Sequence, residues 1–161
     1  MGTHLKALGH RRVLYIADND THVDHLRYEG LRSVIPQAEQ MLVPMEQETR
    51  SAFYESHMER IGQFTAVFAA SDYYAADLLH FVQSRGIAVP KEMSIAGFDD
   101  SSLSRQMHPS LTTIGQDHAA RATLAVALLM KLREQAPVEP EILLPVKLIP
   151  RNSTGPVGWK E

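Results

Sequence analysis

Cysteine is absent from this chain of 161 residues, and its absence excludes several kinds of site at once. Without thiols there is no disulfide framework, no thiolate zinc centre and no cysteine nucleophile. Aromatic residues are few, at 7%, whereas 44% of the residues are hydrophobic and 22% are charged. These fractions are typical of a globular domain, and the chain is long enough to bury a core of its own.

The chain also lacks an excess of positive charge. The formal net charge is −3 at pH 7, and no basic stripe or recognition-helix pattern occurs. Because nucleic-acid phosphates are neutralised by clustered lysine and arginine, this chain is not expected to contact DNA itself. No apolar run is long enough to span a membrane, and the first residues lack the apolar core of a signal peptide. We therefore expect a cytoplasmic protein without membrane contact.

Short apolar runs alternate with helical periodicities along the chain. They predict strands at 12–17, 41–43, 65–70, 93–96, 111–114, 141–144 and 146–149, and helices at 22–34, 48–62, 73–85 and 118–134. Strands that alternate with helices over short connections predict a mainly parallel sheet between two helical layers, a three-layer α/β/α fold.

Polar residues follow the predicted strands, and ligands of parallel sheets bind beyond the carboxyl ends of the strands. Asp99 and Asp100 end the fourth strand, and Ser71 and Asp72 follow the third. From the residues alone, Asp99 is as well suited to accept from ligand hydroxyls as to cap its own turn. Asp72 is predicted to cap the helix that follows it, and Asp100 to cap a turn.

The segment TAVFAASDYYAADLLHFVQSRGIAVPKEMSIAGFDDSSLSRQMHPSLTTIGQD resembles the sensory region of the lactose/galactose-repressor (LacI/GalR) family of bacterial transcription regulators. Its motifs stand in the family's order: Ser-Asp after a strand, an alanine-rich helix, Gly-Ile-x-Val-Pro, Gly-Phe-Asp-Asp, and Pro-x-Leu-Thr-Thr-Ile-x-Gln. The stretches HLKALGHRRVLYI, LRYEGLRSV and LLPVKLIPRNSTG are similar to further family segments. The resemblance extends over about residues 3–155. Its motifs are specific when they are taken together as one set.

The resemblance implies one lobe of a sensor that is similar to type I periplasmic binding proteins. Residues 1–155 would form the effector-binding sensor region, the C-terminal lobe with a helix at 118–134 that crosses into the other lobe. Residues 156–161 are expected to be a disordered tail. Family members carry the other lobe and a helix-turn-helix headpiece towards their N-terminus, and neither pattern is found in this sequence.

The resemblance also implies a ligand site. The first aspartate of Gly-Phe-Asp-Asp, here Asp99, would accept hydrogen bonds from neighbouring effector hydroxyls. Arg27, in the Arg-x-x-Gly stretch, would donate from its planar fork. Ser71 stands where many members have asparagine and offers a single donor, so the resemblance does not specify the sugar. Gln116 lies at the crossing between lobes, where it could serve as a hinge or contact the ligand.

Three weaker candidates complete the predicted site. Asp20 belongs to the polar turn after the first strand. Arg50 and Phe53 lie near the place where the family often sets an aromatic ring against the sugar.

These residues imply a binding protein rather than an enzyme. The parent regulator would sense a small-molecule effector, a sugar or sugar derivative, and so control DNA binding by its N-terminal headpiece. The resemblance implies a homodimer formed through about residues 73–85 and 105–111. No nucleophile elbow, phosphate-binding loop or dinucleotide fingerprint occurs, and no cofactor or metal is predicted.

Two alternatives remain open at this stage. One is a lobe of a periplasmic-type sugar-binding protein that shares the same fold. The other is a receiver domain, in which acids after the first strand hold Mg²⁺ and Asp72 is the phosphoacceptor. The receiver pattern requires Thr or Ser after the fourth strand and Lys after the fifth. The chain has Asp99-Asp100 and Gly115-Gln116 there.

Overall fold

Six strands form one mainly parallel sheet in the computed structural model, which describes residues 1–19 and 21–158. The strands are β1 (Val13–Ala17), β2 (Glu39–Leu42), β3 (Ala66–Ala69), β4 (Ser94–Asp99), β5 (Thr112–Gln116) and β6 (Val146–Ile149). They lie in the order β2-β1-β3-β4-β5-β6. The strands β1 to β5 pair with one another in parallel, and β6 pairs antiparallel with β5.

Helices connect the strands. They are α1 (Gly2–Ala7), α2 (His22–Arg32), α3 (Gln47–Ser56), α4 (Met58–Ile61), α5 (Asp72–Ser84), α6 (Ser102–Gln106) and α7 (His118–Arg133). The sheet is buried on both faces, because alternate side chains of one strand enter two different cores. In β1, Leu14 and Ile16 pack with α3, α4 and α5, whereas Tyr15 packs with α1 and α2. The predicted three-layer α/β/α fold is therefore confirmed.

The structure corrects several of the predicted elements. The helix predicted over 48–62 is two helices, because the backbone turns at His57, whose φ is −112°. Helices α1 and α6 were not predicted. Residues 141–144 form no strand, since the edge of β5 is already occupied by β6, and Leu143 is 85% exposed.

The end of the chain differs from the predicted tail as well. Residues 157–158 form a turn, and the N–H of Val157 donates to the carbonyl of Leu8 at 3.0 Å. Ser153, just before the tail, is fully buried and donates to Ile95. This backbone pairing orders the start of the predicted disordered segment, and residues 159–161 lie outside the described part of the chain.

Helix α7 begins as predicted, with the Asp117 carboxylate accepting from the N–H of Ala120 at 2.8 Å. None of its residues is buried, although the helix is rich in apolar side chains. Val126, Leu129 and Met130 are each more than half exposed. Helix α7 therefore presents an apolar surface that the described part of the chain leaves uncovered.

Within residues 1–19 and 21–158, no helix combines the length and the hydrophobicity needed to cross a membrane.

Helix α5 approaches β4 closely where Asp72 packs against Gly97. A Cβ at Gly97 would overlap the Asp72 carboxylate, would lie 2.9 Å from Leu111 Cδ2, and would lie 3.0 Å from Asp72 Cα. One of these neighbours is backbone, so the overlap cannot be relieved by a side-chain rotation alone. The glycine of Gly-Phe-Asp-Asp is thus required for packing.

We expect Gly97→Ala to lower the free energy of unfolding by about 1–3 kcal/mol, the usual cost of overpacking a core. Gly30→Ala is the matched control, because a Cβ at Gly30 meets nothing within 4 Å and the residue lies inside α2. The control should gain about 0.5–1 kcal/mol from helix propensity. Urea unfolding of both variants checks the opposite signs, and equal effects would contradict the packing argument.

Candidate ligand-binding cleft

The last residue of β4, Asp99, and the next residue, Asp100, have left-handed backbone. The φ angle is 114° at Asp99 and 53° at Asp100, values that residues with a side chain rarely adopt. Such conformations cost about 1–3 kcal/mol each and persist only where neighbouring groups hold them. Here the Asp100 N–H donates to Thr113 Oγ1 at 3.4 Å, and His118 Nε2 lies 3.3 Å from the Asp99 carbonyl.

This turn sets the Asp99 carboxylate beside the end of β5. The Gln116 amide donates to Asp99 Oδ1 at 2.9 Å, and Asp99 is partly exposed. An ionised carboxylate offers about four acceptor positions, of which this bond takes one. Asp99 is therefore oriented by Gln116 and retains acceptor capacity for ligand hydroxyls.

Arg27 reaches the same edge from α2. Its NH1 donates to the Ala70 carbonyl at 3.0 Å, and its guanidinium lies 3.9 Å from the centroid of the Phe98 ring. Asp24 adds a longer ion pair of 3.8 Å. These contacts fix the planar fork while 24% of the side chain stays exposed, so Arg27 is held in one orientation with part of the fork open to solvent.

Arg27 and Gln116 line one open cleft of about 570 Å³, within the range of small-molecule sites. Its other wall is formed by α7 and the segment before β6, and that wall is largely apolar. The residues of this wall include Leu124, Leu128, Ile142, Leu143 and Val146. The cleft therefore combines polar groups of α2 and β5 with an apolar wall. Asp99 does not line it directly but is joined to it through Gln116.

Ser71 has a structural role that was not predicted for it, while its contact with a ligand through the hydroxyl donor stays a prediction. It has extended backbone and caps α5, and its Oγ accepts from the N–H of Tyr74 at 3.5 Å. Ser71 therefore takes the capping role predicted for Asp72, which is the first helical residue and is buried. The prediction for Asp72 was wrong because the chain leaves extended backbone one residue earlier than expected.

Arg50 lies away from the cleft and contributes to the packing of α3. Its Nε donates to Asp77 at 2.6 Å, and its NH1 donates to the Pro44 and Met45 carbonyls at 3.1 and 2.5 Å. Only 1% of the residue is exposed. The structure thus directs the donors of Arg50 to the protein, and this corrects its assignment as a ligand contact.

Phe53 also contacts other residues of this chain. Its ring stacks on His57 with 4.0 Å between ring centroids, and it packs against the core on the α5 side of the sheet. The structure places it with the core rather than with Asp99. Asp20, the remaining candidate, lies outside the described residues.

Sequence reasoning missed other residues at this edge. Phe98 supports Arg27, and His118 contacts the Asp99 turn. Burial raises the pKa of Tyr74 to about 12, and a hydrogen bond to Asp18, which follows β1, adds to the rise. The alternation of side chains along β4 would have placed Phe98 on the α2 face of the sheet. The contact of Tyr74 in α5 with Asp18 after β1 has no signal in the sequence.

Asp100 differs from its predicted role as a turn cap. It accepts from Arg151 NH2 at 2.5 Å and pairs with Arg105 NH1 at 3.3 Å. Burial alone would raise the pKa of Asp100, but the hydrogen bond and charge of Arg151, with the charge of Arg105, outweigh it and lower the pKa. Asp100 therefore joins α6 to the segment after β6.

Among the residues that the structure describes, no three histidine, aspartate or glutamate side chains are grouped so that they could hold a metal ion.

Comparison with known proteins agrees with this geometry. The family model of the periplasmic binding protein-like domain matches residues 3–154. The HTH-type transcriptional regulator GalR of Salmonella typhimurium is 35% identical over 147 residues, covering 86% of this chain and 43% of that protein. The regulator DegA of Bacillus subtilis is 31% identical over 169 residues, covering 96% and 48%. The chain thus spans less than half the length of these relatives.

Solved structures show the same fold. A periplasmic binding protein/LacI transcriptional regulator from Alkaliphilus metalliredigens, complexed with D-xylulofuranose, matches with a TM-score of 0.86 and 29% identity. That match covers 95% of this chain and 60% of the other. A LacI family regulator from Enterococcus faecium with bound ribose matches with a TM-score of 0.81 and 28% identity, covering 97% and 61%.

The fold and the cleft therefore define a ligand-binding lobe of the periplasmic-binding-protein type. The chain belongs to the periplasmic binding protein-like domain family, and it is a sensor region of the LacI/GalR type. This confirms the resemblance drawn from the sequence and the prediction of a binding module rather than an enzyme. The receiver alternative was wrong, since Asp72 is buried and bonded to Thr113 and Ser101.

The ion pair of Asp100 predicts a pH dependence. An acid whose pKa is lowered on folding stabilises the protein above its ordinary value, about 3.9, and that stability is lost as the pH falls through the lower folded value. We expect Asp100→Asn to cost about 1 kcal/mol at neutral pH, a modest figure because the pair is partly exposed. The deficit should shrink as the pH falls below about 4.

Chemical denaturation across the acid range measures this deficit. Glu59→Gln, at an exposed acid on α4, is the control and should show no comparable deficit at neutral pH. A deficit for Asp100→Asn that stays constant down to strongly acidic pH would contradict the ion-pair account.

Proposed function

We propose that this lobe senses a small hydroxylated effector, a sugar or sugar derivative. The observation that supports this most directly is the arrangement at the ends of β4 and β5. Gln116 orients the Asp99 carboxylate, and Arg27 is held by Phe98 at the same edge. One carboxylate can accept from two neighbouring hydroxyls, and an arginine fork donates in a fixed plane, so the pair suits a polyol better than an apolar ligand.

The relatives support the wider role. GalR and DegA are named as HTH-type transcriptional regulators, and two of the similar structures hold a pentose. In our proposal the lobe acts in the cytoplasm as part of a regulator whose N-terminal helix-turn-helix binds DNA. These relatives favour a regulator over the alternative of a periplasmic-type sugar-binding protein.

The mechanism that we propose is a shift between two conformations. The effector would bind between this lobe and a second one, and it would bind one arrangement of the lobes more tightly than the other. By linkage, such differential binding changes the affinity of the parent protein for its operator. The uncovered apolar surface of α7 and the open cleft are consistent with a second lobe that completes the site.

The first test is an NMR titration of the isotope-labelled chain with D-ribose, D-galactose and further pentoses and hexoses. Because this lobe supplies only part of a cleft, we expect weak binding, with a Kd on the order of millimolar or about −4 kcal/mol. Shift changes should centre on Asp99, Gln116 and Arg27. Asp99→Asn should abolish them, since it replaces an acceptor-only carboxylate by a group that is half donor.

Glu59→Gln again provides the control, since it removes one negative charge at an exposed position of α4. It should leave the titration unchanged. Shift changes that are scattered over the surface, or that persist in Asp99→Asn, would contradict the proposed site.

We further propose that the lobe forms a homodimer through about residues 73–85 and 105–111, and we extend this surface to the adjoining first turn of α6. A groove of about 390 Å³ lies between α3, α5 and α6, and it is lined by Tyr73, His80 and Leu103 among others. Tyr73 is 45% and Leu103 37% exposed. Large exposed apolar groups in a groove are common at protein interfaces, and a Lac repressor structure that matches this chain is described as dimeric.

We expect Leu103→Asp to shift the chain towards monomer, because it places a charge in the proposed interface. The control is Val157→Asp, since Val157 is 45% exposed and lies outside the groove. Sedimentation equilibrium over a range of concentrations should show weaker association for Leu103→Asp alone. Equal association of both variants and the unmodified chain would exclude this surface.

A further inference from the structure

Three motifs that are far apart in the sequence meet at one carboxylate, that of Asp72. One oxygen accepts from the Ser101 N–H at 2.7 Å, just after Gly-Phe-Asp-Asp. The other accepts from Thr113 Oγ1 at 2.5 Å, in the Thr-Thr-Ile stretch of β5. Gly97 of β4 lies against the same group, and only the absence of a side chain at Gly97 leaves room for the carboxylate. Only 1% of Asp72 is exposed.

These contacts hold the turn of Asp99 and Asp100 at two points. Ser101, the next residue, is held directly by Asp72. Asp100 is held at one remove, because its N–H donates to the Thr113 hydroxyl that itself donates to Asp72. A turn with two positive φ angles requires such fixed partners, and here they converge on Asp72.

We propose that Asp72 is a positioning residue for the ligand-binding carboxylate. It holds the left-handed turn at residues 99–100, and this turn presents Asp99 to Gln116 and to the effector. The part that concerns the effector rests on the function proposed above. The part that concerns the turn is a property of this chain alone.

The chemistry of the buried acid fits this role. Burial raises the pKa of Asp72, and the bonds from Thr113 and Ser101 oppose the rise. Hydrogen bonds to a carboxylate are shorter and stronger than those between neutral groups, and losing their acceptor would leave two buried donors unpaired. If Asp72 only stabilised the core, its removal would affect the whole sheet rather than the turn.

The test compares Asp72→Ala and Asp72→Asn with the unmodified chain by NMR. Two signals report on the turn directly: the exchange rate of the Ser101 amide, and the carbon shifts of Asp99 and Asp100, which distinguish positive from negative φ. In Asp72→Ala we expect the Ser101 amide to exchange about tenfold faster relative to the core amide of Ile95, through local opening. We expect the two aspartates to lose their positive-φ shifts.

Asp72→Asn should restore both signals. Its amide oxygen can accept from Ser101, and its NH₂ can donate to Thr113. Asp24→Ala is the matched control, because Asp24 is another buried acid of the same edge, bonded to Tyr15 and Thr21. The control should leave the Ser101 exchange and the turn shifts unchanged. The proposal is overturned if Asp72→Ala leaves both signals as they are, or changes them no more than Asp24→Ala does.

Thr113→Val covers the case in which Asp72→Ala does not fold. It removes the link to Asp100 and keeps the direct bond to Ser101, so the Asp100 shifts should move while the Ser101 protection remains. Unchanged Asp100 shifts would overturn the proposal.

A D-ribose titration of the same samples separates the two proposals. A relaxed turn in Asp72→Ala, together with no sugar binding by the unmodified chain, would sink the proposed function and leave the positioning role intact. Sugar binding that is equal in both, with an unchanged turn, would sink the positioning role alone.

Discussion

The parallel alignment of β1, β3, β4 and β5 is the constraint on which the rest of this lobe depends. Parallel strands end at the same edge of a sheet, so side chains that follow different strands are brought together although they are far apart in sequence. In this chain that edge collects Asp18 after β1, Ser71 after β3, Asp99 at the end of β4 and Gln116 at the end of β5. A row of polar groups at one edge of the sheet follows from the topology before any ligand is considered.

Specific pairings then decide which of these polar groups can serve a ligand. Asp100 is engaged by Arg151 and so is largely used by the protein, and the Ser71 hydroxyl oxygen caps α5. Asp99 and Arg27 are instead oriented by Gln116 and Phe98 while remaining partly exposed. Whether a polar group is used by the protein or left available is thus set by its partners and not by residue type, since both sets contain a charged side chain.

The two sides of the cleft differ in a way that matches a two-lobed sensor. The sheet edge is tightly packed and polar, and its turn is held by buried hydrogen bonds. Helix α7 has no buried residue and carries exposed leucine and methionine side chains. Apolar surface of this kind gains free energy when covered, at roughly 25 cal/mol per Å². A polar edge held by buried hydrogen bonds beside an apolar face suits the proposed mechanism, in which closure of two lobes depends on the effector.

Much of this could be read from the sequence by itself. Apolar periodicity determined the alternation of strands and helices and hence the parallel three-layer fold. The ordered motifs determined the family, and with it the expectation that Asp99, Arg27 and Gln116 lie together. These features depend on local pattern and chain order, which a sequence displays directly.

Other features were decided only by the tertiary structure. Arg50 and Phe53 sit in loose register with the family pattern, and packing of α3 against α5 turned them inward. Asp72 gained its role because Gly97 lets α5 approach β4, and this brings Thr113 within reach from a third element. Hydrogen bonds and contacts between residues tens of positions apart depend on three-dimensional distance, and no local pattern in the chain encodes that distance.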